Sequence, residues 1–543
     1  MKNSTNTDVI NNAKQNDFTS EKRRIRLLKK SKKGLGRILF SRAGIFAIMV
    51  IIQVGLLVLF LLWSSSANVI FHDLSYVLGA IMAIFVFNNS KMDNAAKLSW
   101  LFIILLAPAF GTIAYAYTRN DVGHRKLKKQ LANTIETFRS NISENPLVSN
   151  QLYVEDRDMY NLSRYISINH LHPVYKWSRV TYSKTGEEGF LLMLEALKNA
   201  KDFIFMEFFI IDEGDMWGEV LAILAEKAAS GVEVRVMYDG MNEFNTLTSD
   251  YPERLSKLGI KSKVFTPVRP FVSSNYNYRD HRKNLIIDGK IVFTGGINLA
   301  DEYINKITRF GYWKDSSVMI EGPAVETFTV LFLEMWNVME VEPGDDNVDR
   351  YFNRYDFFKD EKGFVIPYGD VPIVSDKISE NICLSFFGRA KNNIRIMTPY
   401  LILDGEIISE LKLAAQKGVD VSIILPGIPD KKLPYILAKT HYKELVRAGV
   451  HIYEYTPGFV HSKIVQIDED IALVGTVNLD YRSFYHHFEC AAVLYGCEAT
   501  EDIIEDFENT KRSCHEVTED DIKALSTRVK IVGALAKTIA PLL

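Results

Sequence analysis

Cysteine is scarce in this chain, and its net charge is small. The 543 residues include four cysteines without a C-x-x-C pair, which argues against a disulfide scaffold or a zinc cluster and fits a reducing compartment. A formal net charge of −3 argues against a broadly basic nucleic-acid-binding protein. The sequence also lacks a Walker phosphate loop and a clear carboxylate cluster for magnesium, so we expect no metal and no cofactor.

Long apolar runs are present, but only within the first 130 residues. Ala43–Trp63 carries no charge and is long enough, as a helix, to cross about 30 Å of hydrocarbon. Leu98–Tyr117 is similar in length but contains Pro108 and Gly111, which predict a kink or a re-entrant bend. Val69–Phe87 is a third candidate with a shorter clean apolar core. These runs predict a transmembrane module of two or three helices.

Basic segments flank this module on both sides. Glu21–Arg37 contains nine basic residues and one acid, and Thr118–Lys129 is also basic. Such clusters mark the cytoplasmic side of a membrane and bind anionic lipid headgroups. Two cytoplasmic ends require an even number of crossings, so we expect one apolar segment to be re-entrant or interfacial. The prediction is a multi-pass protein of the cell membrane with a cytoplasmic catalytic region.

The remainder of the chain alternates between strand and helix patterns and repeats itself after roughly 180 residues. This pattern predicts two duplicated α/β units with mainly parallel sheets, packed about a pseudo-two-fold axis. The predicted organisation is a basic cytoplasmic segment (1–42), a transmembrane module (43–118), a basic linker (119–150), a first α/β unit (151–340), a connection (341–367) and a second α/β unit with a C-terminal helix (368–543).

One set of polar residues recurs in both units. Each set is a histidine followed by a lysine at +2, an aspartate at +7, a glycine at +14 and an asparagine at +17. The sets are His281, Lys283, Asp288, Gly295 and Asn298 in the first unit, and His461, Lys463, Asp468, Gly475 and Asn478 in the second. A single histidine in a strand is usually structural, whereas a duplicated set of five residues indicates a site.

The chemistry of the set follows from its spacing. Residues i and i+2 of a strand share a face, so each histidine projects together with its lysine. Each aspartate sits at a bend, such as Asp288–Gly289, which favours a turn-fixing role. Two sets that meet would supply one imidazole as nucleophile and another as proton donor to a leaving alkoxide. The lysines and asparagines would stabilise phosphoryl oxygens without a metal.

The paired HxKxxxxD stretches, followed by "GGIN" and "GTVN", resemble the phospholipase D superfamily. The apolar N-terminal module together with "YRDHRK", "WKDSSVMIEGPAV" and "VNLDYRSF" resembles its bacterial cardiolipin synthases. This resemblance implies transfer of a phosphatidyl group from one phosphatidylglycerol to another, giving cardiolipin and glycerol through a phosphohistidine. The implied partners are phosphatidylglycerol and anionic membrane lipid, and no nucleic acid.

The resemblance also assigns roles to residues. It implies His281 as nucleophile and His461 as acid and base, although the symmetry leaves the reverse assignment open. The implied carboxylates that orient the two imidazoles are Asp315 and Glu489. The implied catalytic set also includes Lys283, Lys463, Asp288 and Asp468, and the phosphate-binding residues are Asn298, Asn478 and Thr476.

Two positions depart from the family pattern. Gly296 stands where many members have serine, and His487 stands where an asparagine is expected. Adjacent strand residues face opposite ways, so His486 and His487 are interpreted as structural residues and not as metal ligands.

A membrane-bound phospholipase that forms phosphatidic acid would use the same residues, and phosphatidylethanolamine could replace the second substrate. A nuclease fits poorly, because no basic, aromatic-rich groove is evident. A non-catalytic scaffold has no use for two complete motifs.

The apolar C-terminal stretch Val529–Leu543 is expected either to lie on the bilayer or to pack on the domain, and packing on the domain is favoured.

Overall fold

The computed structural model describes residues 24–28, 55, 69–90, 92–119, 122–139, 142–170, 172–266, 278–338, 348–372 and 377–542. The predicted span Ala43–Trp63 therefore lies outside the described residues, apart from Gly55. Within the described ranges, none of the helices has both the length and the apolar character needed to cross a membrane.

Among the described residues, six helices precede the first sheet: α1 (Val69–Phe87), α2 (Asn94–Leu106), α3 (Pro108–Arg119), α4 (Val122–Arg139), α5 (Pro146–Glu155) and α6 (Arg157–His170). The segment predicted over Leu98–Tyr117 is not one helix, because the chain bends between α2 and α3. Pro108 begins the new helix, as proline is tolerated only in a first turn. A Cβ on Gly111 would lie 2.6 Å from the Ile104 Cα, so glycine lets α3 fold back against α2.

Part of the basic N-terminal segment is bound by the protein itself. Arg24 and Arg26 lie 3.0 Å and 2.8 Å from the Asp215 carboxylate. The Ile25 backbone N–H donates to the Gly218 carbonyl at 3.1 Å. These two arginines therefore pair with protein carboxylates, whereas the sequence suggested lipid headgroups as the partners of this segment.

The first α/β unit is built on a seven-stranded sheet in the order β1-β9-β7-β6-β2-β3-β4. The strands are β1 (Arg179–Ser183), β2 (Phe203–Phe208), β3 (Glu233–Asp239), β4 (Lys261–Phe265), β6 (Lys283–Ile287), β7 (Ile291–Gly295) and β9 (Ser317–Glu321), with the short β5 (Arg279–Asp280) and β8 (Tyr312–Lys314) outside the sheet. The helices are α7 (Gly186–Asn199), α8 (Asp215–Ala229), α9 (Met241–Asn245), α10 (Tyr251–Ser256) and α11 (Val325–Val338), with 3-10 turns at Asp301–Ile304 and Val348–Tyr351.

The second unit repeats this plan in the order β10-β19-β17-β16-β11-β13-β14-β20. Its strands are β10 (Phe364–Asp370), β11 (Asn393–Met397), β13 (Asp420–Pro426), β14 (His451–Tyr455), β16 (Ile464–Ile467), β17 (Ile471–Gly475), β19 (His487–Tyr495) and β20 (Cys514–Glu516), with the short β12 (Leu401–Ile402), β15 (Gly458–Val460) and β18 (Leu479–Asp480) outside this order. Its helices are α12 (Ile378–Arg389), α13 (Gly405–Gln416), α14 (Lys432–Arg447), α15 (Tyr481–Tyr485), α16 (Ala499–Lys511), α17 (Glu519–Ala524) and α18 (Thr527–Ile539), followed by a 3-10 turn at Ala540–Leu542.

The duplicated α/β architecture is as predicted, but the expectation of mainly parallel sheets is wrong. Along the two strand orders, the parallel pairs are those of β2–β3–β4 in the first sheet and β11–β13–β14 in the second. Each motif strand instead forms a hairpin with the strand that follows it, β6 with β7 and β16 with β17. A short turn can join only antiparallel neighbours. In about half of each sheet the strands are therefore antiparallel, as the hairpin signal at Asp288–Gly289 indicates, and not parallel, as the βαβ pattern predicts.

Short strand pairs link the two units reciprocally. Strand β5, directly before His281, pairs with β19 of the second unit. Strand β15, directly before His461, pairs with β8 of the first unit. One buried apolar cluster also spans both units, with Val292 of β7 and Ala492 of β19 among its members. The two motifs are therefore held face to face by backbone pairing and by a shared core.

The C-terminal helix α18 packs against the protein, as favoured from the sequence. Ala536 of α18 and Leu437 of α14 belong to one buried cluster. The Ser99 hydroxyl of α2 donates to the Thr538 carbonyl at 2.6 Å. Helix α18 therefore connects the N-terminal helices to the second unit.

The two motif aspartates hold turns. The Asp288 carboxylate accepts hydrogen bonds from three consecutive backbone N–H groups, at residues 201–203, at 2.7 to 2.8 Å. Asp468 does the same with residues 391–393. Both aspartates have positive φ, of 53° and 49°. Each one ties the end of its motif strand to the start of the neighbouring strand.

Replacing Asp468 with alanine is expected to lower the free energy of unfolding by about 2–3 kcal/mol, because backbone donors lose a charged acceptor. Turnover by the folded fraction should stay within about fivefold of wild type, a range suited to a structural residue away from the chemistry. Urea unfolding and initial rates measure the two effects. The neighbouring Glu469→Ala, an exposed change, is the control, and a large loss of turnover without loss of stability would contradict the turn role.

Candidate active site

The two motif histidines sit in equivalent places at the junction of the units. The His281 backbone N–H donates to the Phe488 carbonyl at 2.9 Å, and that of His461 donates to the Lys314 carbonyl at 2.7 Å. Both residues lie just before a motif strand, and both are buried, with 6% and 7% of their surface exposed. Each histidine is thus attached by its backbone to the opposite unit.

Each imidazole is also oriented by a carboxylate of the opposite unit. His281 Nδ1 lies 2.9 Å and 3.0 Å from the two oxygens of Glu489. His461 Nδ1 lies 2.8 Å from Asp315 Oδ2. An ionised carboxylate only accepts hydrogen bonds, so Nδ1 carries the hydrogen and Nε2 keeps a lone pair. The structure therefore brings both predicted carboxylates to the histidines, and in each histidine it leaves the lone pair of Nε2 free of these two contacts.

Glu489 is held by several donors at once. Besides His281, the hydroxyls of Thr476 and Ser483 donate to it. Although burial alone would raise the pKa of Glu489, its contacts with His281 and His487 outweigh that effect and hold the pKa well below the usual range. Thr476, which was predicted to bind phosphate, therefore donates its hydroxyl hydrogen bond to Glu489. Ser483 also binds Glu489, and it was not among the predicted site residues.

Gly296 occupies the place in the first unit that corresponds to Thr476 in the second. A Cβ there would lie 1.9 Å from Asp315 Oδ1 and 2.8 Å from the His461 carbonyl. No side chain fits in this arrangement, which explains why the serine expected from the family pattern is absent.

Both motif lysines are buried beside their histidines. Lys283 and Lys463 each donate from Nζ to the backbone carbonyl of the histidine two residues earlier. Burial lowers the pKa of Lys283 to about 8. Burial, together with the charge of Lys283, lowers the pKa of Lys463 to about 7. The two lysines therefore give the site positive charge near neutral pH, and the site loses this charge in mildly alkaline solution.

The same burial keeps the free imidazoles neutral. Burial and then the Lys463 charge lower the pKa of His461 to about 4. Burial also lowers the pKa of His281 well below its ordinary value, against the pull of Glu489. An anion bound between the two histidines would oppose these effects, so we expect a phosphodiester to bind together with a proton.

The depressed lysine pKa values predict an alkaline limb in kcat/KM, which reports on the free enzyme. Activity should fall as the pH rises through 7 to 8, because each lysine then loses the charge that attracts phosphate. In Lys463→Arg the limb should move to higher pH, since arginine stays charged. The exposed Lys417→Arg is the matched control, and an unmoved limb in Lys463→Arg would assign it to another group.

The motif asparagines differ in their contacts. Asn298 Oδ1 accepts from the Ile210 backbone N–H at 2.9 Å, and its Nδ2 donates to the Tyr303 hydroxyl at 2.8 Å. Among the described residues, nothing donates a hydrogen bond to the buried Asn478 Oδ1. Both polar groups of the Asn298 side chain are therefore already hydrogen-bonded to neighbouring residues, whereas Oδ1 of Asn478 can still accept a hydrogen bond from a ligand.

Asp288 and Asp468 lie at the opposite ends of their strands from the histidines. Strands β6 and β16 separate them from His281 and His461, and their oxygens are occupied by backbone donors. The structure therefore places these two members of the predicted catalytic set at the far ends of their strands from the two imidazoles.

His487 is a site residue that sequence reasoning missed. The interpretation of this residue as structural overlooked its place two residues before Glu489, on the same face of β19. Its ring centroid lies 5.0 Å from that of His281. The i, i+2 rule that paired each histidine with its lysine places His487 on the strand face of Glu489, a residue already expected to orient a histidine.

His281, His487 and Glu489 bring three potential metal-binding atoms within 4.8 Å of one another. The charges of Lys283 and Lys463 act on the same carboxylate, and Glu489 already accepts two hydroxyl hydrogen bonds. A cation would compete with both lysines and both hydroxyls, so the donor set does not suit a metal.

A family model described as "Cardiolipin synthase, PLD-like domain" matches residues 193–336 and 383–511. An uncharacterized protein of Streptococcus mutans is 48% identical over 84% of this chain and 98% of its own length. A cardiolipin synthase of Geobacillus thermodenitrificans is 31% identical over 84% of this chain and 91% of its length. A phosphatidylserine synthase structure from Haemophilus influenzae superposes with a TM-score of 0.55 at 16% identity, over 71% of this chain and 97% of that one. The last similarity concerns the fold alone.

Proposed function

The chain belongs to the cardiolipin synthase family of phospholipase D-like proteins, and we propose that it transfers a phosphatidyl group from one phosphatidylglycerol to another, releasing glycerol. The observation that carries the proposal is the reciprocal pair of imidazoles, each oriented through Nδ1 by a carboxylate of the opposite unit. Two such groups supply the nucleophile and the proton carrier of a double displacement.

In the first step, His281 Nε2 attacks the phosphorus of one phosphatidylglycerol. The bond from phosphorus to the headgroup glycerol oxygen breaks, and that oxygen takes the proton from His461 Nε2. The products are a phosphatidyl-histidine and glycerol. Lys283 and Lys463 supply the positive charge that stabilises the phosphoryl oxygens in the transition state.

In the second step, a headgroup hydroxyl of another phosphatidylglycerol enters. Its proton passes to His461 Nε2 as its oxygen attacks phosphorus, and the phosphorus–nitrogen bond to His281 breaks. Cardiolipin leaves, and His461 is again protonated. The proton that His461 gives in the first step therefore returns in the second, as a transfer between two alcohols requires.

Lipid substrates suit the surface of the N-terminal helices. Ile84 of α1 is 65% exposed and Leu106 of α2 is 75% exposed. Other exposed apolar residues of these helices are Leu74, Val77, Ile81, Phe85, Leu98, Phe102 and Leu105. Contiguous exposed apolar surface is typical of protein or membrane contact. The proposed setting is the cytoplasmic face of the cell membrane, with residues 43–118 as the membrane module.

The test uses the purified full chain in phosphatidylglycerol vesicles with labelled headgroup glycerol. Cardiolipin and free glycerol in equal amounts support the proposal. Phosphatidic acid and glycerol without cardiolipin would replace it with hydrolysis. Absence of any product, with a folded protein, would overturn the proposal. A second reaction with added phosphatidylethanolamine tests whether that lipid serves as acceptor.

A further inference from the structure

The C-terminal helix α18 keeps one apolar face exposed although its opposite side packs on the protein. Its packed side includes the buried Ala536 and Gly533, where a Cβ would lie 2.7 Å from the side chain of Thr440 on α14. Ile531 and Leu535 are 56% and 66% exposed. Residues four apart lie on the same side of a helix, so these two side chains form one exposed apolar stripe.

The charges of α18 suit a negatively charged surface. Arg528, Lys530 and Lys537 are exposed, and residues 527–539 contain no acid. Lys537 also lies 3.5 Å from Glu444 of α14. At about 100° per residue, Arg528 lies on one side of the apolar stripe and the two lysines lie on the other. This arrangement is typical of a helix that lies in a membrane interface, with its apolar face towards the acyl chains and its cations near the headgroups.

The preceding helix α17 has the opposite charge. It begins with Glu519, Asp520 and Asp521, and the Asp520 side chain is 90% exposed. An anionic bilayer attracts the cations of α18 and repels these three acids. The charge of the chain therefore distinguishes α18, and not α17, as the helix that suits an anionic bilayer.

Helix α18 is attached directly to the proposed membrane module. The Ser99 hydroxyl of α2 donates to the Thr538 carbonyl at 2.6 Å, and Ser99 is buried in this contact. Leu98, the neighbour of Ser99, is 68% exposed. A helix that is hydrogen-bonded to the membrane module lies at the level of the bilayer, so the exposed stripe of α18 continues a surface already proposed to contact lipid.

Helix α14 joins α18 to the catalytic site. Just before α14, the Ile428 backbone N–H donates to the Gly458 carbonyl at 3.1 Å. The next residue, Phe459, packs on His461 with ring centroids 5.8 Å apart. Ile428 and Leu433 of this region are each 40% exposed. Exposed apolar side chains therefore occur beside the site as well as on α18.

We propose that α18 is a membrane-docking helix: Ile531 and Leu535 enter the surface of a phosphatidylglycerol bilayer, while the opposite side of α18 holds α14 and, through it, the His461 side of the catalytic site at the level of the lipid headgroups. This inference rests on the membrane setting of the proposed function and deepens it, because it names the part of the second unit that meets the bilayer.

The experiment measures the depth of α18 with the full chain in phosphatidylglycerol vesicles. A fluorescent label on Ile531→Cys or Leu535→Cys is mixed with lipids that carry spin labels on their acyl chains, which quench fluorophores in contact with the hydrocarbon. Cys514, which is less buried than the other three cysteines, is replaced by serine in every variant. We expect quenching at both positions and none at the matched control Asp520→Cys on α17.

Three results of this measurement would overturn the proposal. The first is a label at 531 and 535 that stays in water and is not quenched. The second is equal quenching at 520, because the whole C-terminal region would then be immersed without regard to charge. The third is a label shielded from water but not quenched by lipid, because a protein partner would then cover the stripe.

Leu535→Glu tests the consequence for turnover. It should lower the turnover of phosphatidylglycerol in vesicles by about tenfold or more, the factor that corresponds to losing the burial of one leucine side chain. Short-chain phosphatidylglycerol dissolved as monomers should be turned over at the wild-type rate, because it needs no docking. The control is Leu413→Glu, at a leucine of α13 that is 47% exposed between the exposed polar residues Ser409 and Gln416, and it should leave both rates unchanged.

Wild-type turnover of vesicle lipid by Leu535→Glu would overturn the proposal, as would an equal loss with the monomeric substrate. Because quenching needs no turnover, quenching at 531 and 535 in a protein that makes no cardiolipin would support the docking role while the proposed function failed.

Discussion

Replacing His281 with alanine is expected to lower the rate of cardiolipin formation by about 10⁴-fold or more, the scale seen when a covalent nucleophile is removed. Without Nε2 no phosphorus–nitrogen bond can form, so no phosphatidyl-enzyme should accumulate. Initial rates with labelled phosphatidylglycerol measure the loss. Mass spectrometry of acid-labile adducts after a brief reaction measures the intermediate in wild type and variant.

The His461→Ala variant separates the two roles. It should lose turnover of phosphatidylglycerol to a similar extent, because the glycerol oxygen then leaves without a proton. A substrate analogue with a nitrophenol leaving group needs no such proton, so His461→Ala should still form the adduct from it, whereas His281→Ala should not. Adduct formation only in His281→Ala would reverse the assignment. Full activity of either variant would rule out a mechanism that uses both histidines.

Replacing Glu489 with glutamine should lower kcat by about 10²–10³-fold, between the losses typical of orienting carboxylates and of tautomer-fixing residues in hydrolases. The change removes the negative charge that fixes the His281 tautomer. It also places an amide donor among the hydroxyl donors of Thr476 and Ser483. KM should change far less than kcat, because the carboxylate acts through His281 and not on bound lipid.

Ser483→Ala is the control for that prediction. It removes one hydrogen bond to Glu489 but leaves the charge in place, so we expect a loss of tenfold or less. Thermal unfolding of both variants shows how much of each loss comes from instability. If the two variants lose the same activity, the charge of Glu489 is not what His281 requires.

The sequence predicted the polar set well because its spacing is local. A histidine and a lysine two residues apart share a face, and Lys283 does lie against His281 in the structure. The bend at Asp288 could likewise be predicted from its glycine neighbour. The direction of the strands in the sheet could not be predicted in the same way. It depends on which strands the β6–β7 hairpin pairs with, and in the structure these are β2 and β9, both antiparallel to it.

Side-chain roles were harder to predict than positions. Thr476 carries a hydroxyl at a position typical of phosphate binding, yet in the fold that hydroxyl bonds Glu489. His487 was interpreted as structural because adjacent strand residues face opposite ways, so His486 and His487 could not share a metal ion. Its contact with His281 depends on β19 pairing with β5, which no local pattern reveals.

The sequence by itself determined that this protein has two equivalent polar sets on a duplicated α/β chain, because residue spacing fixes which side chains share a strand face. Only the tertiary structure decided which carboxylate serves which histidine. Glu489 is 208 residues from His281, and Asp315 is 146 residues from His461. Those partners are chosen by strand pairing between units and by the shared core, and such long-range packing leaves no periodic trace in the chain.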